Sequence, residues 1–224
     1  MKNYLSFRPE NLRYTPENRT FVAKRVEIML KKGICGVLAA LVAAAFWSCG
    51  RRPAYVSVDG VMLGTTLHVA ADVRGVSPQE LYAAVMELDR EAKASMSIYD
   101  PASLLSRLNR NETDSVDSHI AFNLRLADSI GSLSGGRYDV TVKPLVEAWG
   151  FAGKERVERP NVDSILEFVG REKVRIEAGR LVKDDPRVQL DFNSVAKGYV
   201  VDLLAALVEK YGAENYIVDV GGEV

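Results

Sequence analysis

Asp191, Asn193, Ser194, Lys197 and Asp202 fall within one short stretch, and together they suit the handling of an anion. The stretch centres on LDFNSVAKG, Leu190 to Gly198. An apolar, strand-like run from Val188 to Phe192 leads into Asn193-Ser194, and an amphipathic helix follows with Val195, Val200, Leu203, Leu204, Leu207 and Val208 at helical spacing. Asn193 or Ser194 is placed to cap that helix, and Gly212 stands where a C-terminal cap belongs. A strand-to-helix turn gathers backbone N–H groups at the positive end of a helix dipole, so it favours negative charge. Lys197 would add a compact cation beside a phosphate. An ordinary strand–turn–helix with a solvated lysine has the same pattern, and anion binding is a minority use of this geometry.

The rest of the chain must position that stretch. Its 224 residues are 47% hydrophobic and 26% charged, enough for one good core or two small ones. The net charge of −1 divides unevenly: residues 1–48 carry +5 and the remainder −6. A mildly acidic globular part has no nucleic-acid footprint, so no nucleic-acid partner is expected. Both cysteines, Cys35 and Cys49, lie near the N-terminus, which leaves the remainder without an internal disulfide. Two histidines, His68 and His119, are too few for a histidine-built metal site, so any metal would be a hard, oxygen-liganded ion.

Lys31-Lys32, the apolar run Gly33 to Trp47 and the small residue Ser48 make a secretory signal. The run is short for a membrane span. Ser48-Cys49 resembles the cleavage site of a bacterial lipoprotein, with Phe46 where such signals usually carry Leu and Cys49 as the lipidated residue. The expectation is an exported lipoprotein, membrane-anchored and facing the periplasm. Residues 1–28 are polar and read as a mis-assigned extension ahead of a start at Met29; 29–48 read as the signal and 49–57 as a tether.

Residues 58–224 read as one α+β domain, a mixed sheet with flanking helices. Tyr55–Asp59 and Thr65–Ala71 alternate like half-buried strands, punctuated by Gly60 and Gly64. Ser77-Pro78-Gln79-Glu80 is a capping box opening a helix to about Lys93. Helices are also expected over 103–109, 118–133 and 161–169, with Tyr138–Val142 extended. Lys173–Glu177 and Arg180–Lys183 read as a hairpin around Ala178-Gly179, and Tyr216–Val220 as a last strand. Gly221-Gly222 and the stop at Val224 leave that strand's neighbours unaccounted for, so the domain is expected to be incomplete at its C-terminus.

Five ordered segments then point one way. They are GVMLGTT (60–66); MSIYDP (96–101) with Ser103 and SRLN (106–109); SGGRYDVTVKPL (134–145) with WGF (149–151); LDFNSVAKGY (190–199) with Asp202; and VDVGGE (218–223). In order and spacing they resemble the ApbE family of FAD:protein FMN transferases. The resemblance implies an enzyme that uses FAD and Mg²⁺, moves FMN to a Thr or Ser hydroxyl of a target flavoprotein and releases AMP. The target would be a subunit of a membrane redox complex. Leu63 stands where the family usually has Met against the flavin, and Tyr99 matches its aromatic residue at the isoalloxazine ring. Arg137, Tyr138 and Asp139 match an FAD contact usually written Ala-Phe-Asp, with Arg137 the departure. Asp191 and Lys197 match FAD-binding positions, and Ser194 the position whose carbonyl ligates Mg²⁺. The family's other metal ligands and its catalytic groups are implied in a further C-terminal segment. Two other readings are an FAD pyrophosphatase giving free FMN and AMP, and a non-catalytic flavin-binding lipoprotein. Tyr99 favours the transferase.

Overall fold

The computed structural model describes residues 55–224; the expected extension, signal, Cys49 and most of the tether lie outside the described residues. Among the described residues no helix is long and apolar enough to cross a membrane. The strands are β1 (Val56–Met62), β2 (Thr65–Ala71), β3 (Val174–Glu177), β4 (Arg180–Lys183) and β5 (Tyr216–Val220). The helices are α1 (Pro78–Met96), α2 (Leu104–Asn109), α3 (Ser118–Leu133), α4 (Lys143–Ala148), α5 (Val162–Leu166) and α6 (Asn193–Lys210).

Alternation decides the main sheet. Val58 and Met62 of β1 and Leu67, Val69 and Ala71 of β2 face the core, with Asp59 and His68 between them exposed. The order is β1-β2-β5, all antiparallel, with Met62 opposite Thr65 and Leu67 opposite Val220. Two helices hold this sheet's buried side: α1 packs on β1, and α6 packs on β5, α1 and α3. Leu81, Val85 and Ala92 of α1 meet Val200, Leu204 and Val208 of α6 in the core. Burying side chains of this size contributes roughly 1.5–3 kcal/mol each. β3 and β4 form a separate hairpin.

Local chemistry fixes the helix ends. Glu80 N–H donates to Ser77 Oγ at 3.2 Å, and Ser77 N–H to Glu80 Oε2 at 2.8 Å, the reciprocal capping box expected there. At the end of α6, Gly212 adopts φ +78°. Its N–H donates to Glu209 O, and Ala213 N–H to Val208 O, which closes the helix with a left-handed cap.

The structure departs from the sequence reading at several places. Gly60 does not break β1 but sits within it opposite Leu67, and the strand continues to Met62. A Cβ there would meet the Tyr82 ring at 3.5 Å, an ordinary contact, so the strand has no steric need of glycine at this place. Val188–Phe192 forms no ladder strand: within it Gln189 makes a single bridge, to Val142, and Phe192, at φ −99° and ψ 7°, already stands at the cap of α6. Tyr138–Val142 is not a strand: Asp139 Oδ1 accepts from Thr141 N–H and Oγ1 at 2.8 and 2.7 Å, which folds a turn at Val140-Thr141. The unexpected α4 starts just after it, with Pro144 in its first turn. The expected 161–169 helix stops at Leu166, where Lys173 Nζ takes the Glu167 and Val169 carbonyls. Neither Asn193 nor Ser194 caps α6 from outside; both lie in its first turn, behind Phe192 at the cap position.

Candidate active site

One cavity of about 810 Å³ opens between the β1–β2 turn, α1, the loop after α1 and the first turns of α6. Its wall includes Leu63, Lys93, Met96, Tyr99, Asn193 and Lys197. Leu63, Tyr99 and Lys197 come from three distant parts of the chain, and all three were singled out from sequence. The volume lies within the usual ~300–1,000 Å³ of small-molecule sites.

Each wall is built by identifiable contacts. Leu63-Gly64 is a two-residue hairpin turn with φ +49° and +78°, the sign required at both positions of the tightest turn that suits twisted strands. The Tyr99 loop hangs on Ser97, whose Oγ accepts from the N–H groups of Tyr99 and Asp100, both at 3.1 Å. Ser97 O in turn accepts from the hydroxyls of Ser103 and Ser106, which anchors the loop to α2. Tyr99 remains 67% exposed, a free aromatic face on the cavity rim, with its hydroxyl 3.5 Å from Asn193 Nδ2. Lys197 reaches Glu223 Oε1 at 3.2 Å, an ion pair loose enough to share its charge with a phosphate.

The α6 turn is clamped from behind. Buried Asn109, at the end of α2, donates from Nδ2 to Leu190 O at 2.8 Å and accepts at Oδ1 from Leu190 N–H at 2.7 Å. A side chain thus replaces the strand partner that Val188–Phe192 lacks. Asp191 N–H continues the clamp to Val140 O at 2.8 Å. The Asp191 carboxylate is buried and accepts Asn193 N–H at 2.8 Å, so the chain's own anion already meets the positive end of α6. Burial pushes the Asp191 carboxyl above its ordinary value, with the Asn193 N–H and the nearby Lys143 opposing. Asp191 stands behind the wall as part of the turn's frame.

The remaining predicted residues lie elsewhere. Ser194 projects to the other side of α6, its Oγ 2.8 Å from Tyr138 Oη, and lines a smaller cavity of about 340 Å³ with Asp202 and Glu223. Both oxygens of Asp139 serve backbone and hydroxyl donors, Thr141 on one side and Arg171 N–H at 2.8 Å on the other. Arg137 is exposed in the loop after α3 and forms no part of the larger cavity's wall. Sequence reasoning missed Lys93 and Asp89, which an i, i+4 acidic–basic pair disguises as ordinary helix surface. It quoted Asn109 within a motif but gave it no role.

The donor set fits FAD better than it fits a metal. An apolar wall, a free aromatic ring and Lys197 match a flat ring joined to a diphosphate. Among the described residues no three His, Cys, Asp or Glu side chains gather to ligate a metal, and Mg²⁺ asks for near-octahedral oxygen ligation. The described side chains do not by themselves fit Mg²⁺.

This mixed α/β fold, with its cavity beside the β1–β2 turn, has counterparts among known proteins. The ApbE family model matches residues 63–224, so the chain belongs to the ApbE family. The FAD:protein FMN transferase of Haemophilus influenzae is 32% identical over 210 residues, covering 87% of this chain and 61% of that protein. The FAD:protein FMN transferase of Vibrio cholerae is 32% identical, covering 79% and 55%. Among solved structures, the flavin transferase ApbE from Vibrio cholerae aligns with TM-score 0.70 at 30% identity, covering 75% of this chain and 58% of that one. The apo flavinyl transferase ApbE of Pseudomonas stutzeri aligns with TM-score 0.71 at 25% identity, covering 77% and 60%. The chain spans little more than half the length of these relatives.

Proposed function

We propose that this protein binds FAD and transfers its FMN half to a Thr or Ser hydroxyl of a target flavoprotein, releasing AMP. The observation that carries the reading is the convergence of Leu63, Tyr99 and Lys197 on one cavity. Leu63 and Met96 offer the isoalloxazine ring an apolar bed, and Tyr99 offers an aromatic face. Lys197 is a cation for the diphosphate, where charge builds up during phosphoryl transfer. In that transfer the acceptor oxygen bonds to the FMN phosphorus, the P–O bond to AMP breaks, and the hydroxyl proton is lost to the leaving phosphate or solvent. Catalysis of this kind is mostly positioning and charge stabilisation, which a preformed cavity supplies. Mg²⁺ belongs to the reading, with the Ser194 carbonyl as one of its oxygens; the described side chains contribute binding and orientation only. The target is proposed to be a subunit of a membrane redox complex. The protein itself is proposed to be a lipoprotein held by Cys49 on the periplasmic side.

The test is to incubate the intact protein with FAD, Mg²⁺ and a candidate target, then measure the target's mass and the released nucleotides. The reading predicts a target heavier by one FMN and AMP in equal amount. Free FMN with AMP would point to a pyrophosphatase, and bound FAD without AMP to a carrier; either contradicts transfer.

A further inference from the structure

Asp89 is a buried carboxylate, 7% exposed, on the fourth turn of α1. Burying a carboxylate is costly unless both its charge and its lone pairs are met. Here Oδ1 accepts from the Leu63 N–H at 2.9 Å, and Oδ2 accepts from Lys93 Nζ at 2.6 Å. Leu63 and Lys93 both line the 810 Å³ cavity. The carboxylate therefore ties the β1–β2 turn to α1, which carries Ala92, Lys93 and Met96 of the same cavity.

The turn needs holding. Leu63 has φ +49°, a region that bulky residues rarely enter and that costs about 1–2 kcal/mol for an L-residue. Asn is preferred at this place in a two-residue hairpin turn, and a leucine forgoes that preference. Gly64, next to it, has nothing within 4 Å of where a Cβ would be, so no packing on that side pins the turn. Leu63 packs its side chain against the core, and the hydrogen bond that reaches the turn's backbone from α1 is Asp89–Leu63, across 26 residues.

We infer that Asp89 is a positioning residue of this cavity: its Oδ1 sets the Leu63 wall at a fixed distance from α1, and Lys93 supplies the charge that keeps the carboxylate buried. The inference rests on the reading of the cavity as the FAD site. A free turn would let Leu63 drift from the ring, and the spectrum of the bound flavin reports that drift directly. A role in folding alone would leave the spectrum of bound flavin unchanged.

The experiment titrates FAD into the intact wild-type protein and into Asp89→Asn and Asp89→Ala, recording Kd and the visible absorption of the bound flavin. Asparagine keeps an oxygen for the Leu63 N–H, so it should bind with the wild-type spectrum and a Kd close to wild type. Alanine should bind about tenfold more weakly or worse, the scale of one lost charge-assisted hydrogen bond. Its spectrum should shift towards that of free FAD. Asp89→Leu, which fills the space without an acceptor, replaces alanine if that variant does not fold. Wild-type Kd and spectrum in either apolar variant would overturn the inference, as would an asparagine variant that shifts as far as alanine. If neither apolar variant folds while asparagine binds normally, Asp89 is a folding residue and the inference also falls. Absence of saturable FAD binding by the wild type would instead overturn the reading of the cavity.

Discussion

The turn at 191–197 and the turn at 137–141 both pair an aspartate with a basic neighbour, and both match segments of one family's pattern. The structure uses them differently. At 191–197 the aspartate is spent on the backbone behind the wall, which leaves Lys197 facing the large cavity. At 137–141 both oxygens of Asp139 accept from Thr141 and Arg171, while Arg137 stays in solvent. Tyr138 reaches towards the other turn through its hydroxyl, to Ser194, beside the backbone bond from Asp191 N–H to Val140 O. Membership of a motif therefore identifies residues that matter, without saying which of them touch substrate and which hold the backbone that does.

The strongest perturbation of the first turn lies outside it. Asn109→Ala would leave the N–H and carbonyl of buried Leu190 without partners. Two such groups predict a loss of about 2–4 kcal/mol in unfolding free energy, measured by denaturant titration. A loss under about 0.5 kcal/mol, the scale of a neutral surface change, would mean that the turn is held by other contacts.

Asp139→Asn probes the second turn and should do the reverse of a wall substitution. It removes one charged acceptor and sets an amide NH₂ against backbone donors, which predicts about 1–2 kcal/mol of lost stability with FAD affinity little changed. Lost affinity at unchanged stability would place Asp139 on the substrate and erase the contrast between the turns.

The smallest effect carries a sign. Asp191's carboxyl is raised above its unfolded value by burial, so its ionised form is disfavoured in the fold. That penalty is absent below the unfolded value and grows as pH rises through the folded one. Asp191→Asn, which keeps an acceptor for Asn193 N–H, should therefore be slightly more stable than wild type at pH 7, with the gap closing at low pH. Thermal unfolding at several pH values checks this. A variant less stable at pH 7 would show that the charge is needed in place, through Lys143 or otherwise.

Much of the fold was legible because local rules agreed with the tertiary outcome. The Ser77–Glu80 capping box, the Ala178-Gly179 hairpin and the Gly212 cap each carry their own geometry. The failures share a cause: a side chain supplied what the backbone pattern seemed to need. Asn109 replaced a strand partner for 188–192, Asp139 bent a segment that reads as extended, and Lys173 ended α5 early. Such long-range side-chain-to-backbone bonds leave no periodic trace. Lys197 stands out from the charges of its turn, Leu63 and Tyr99 through the family resemblance, and their convergence required the fold. Asp89 was invisible because a lone acidic residue four places before a lysine is what solvated helices display.

The central claim is that one cavity holds FAD with its diphosphate at Lys197, and a binding titration tests it most directly. FAD is titrated into the wild-type protein and Lys197→Ala at low and high salt, with flavin fluorescence as the signal. The account predicts saturable binding by wild type that weakens with salt. It predicts a loss on the order of 1.5–3 kcal/mol in the variant, with a shallower salt dependence and nearly unchanged thermal stability. Equal affinity and equal salt dependence in the two proteins would contradict it, and Lys197 would then be the solvated lysine that its sequence pattern equally allows.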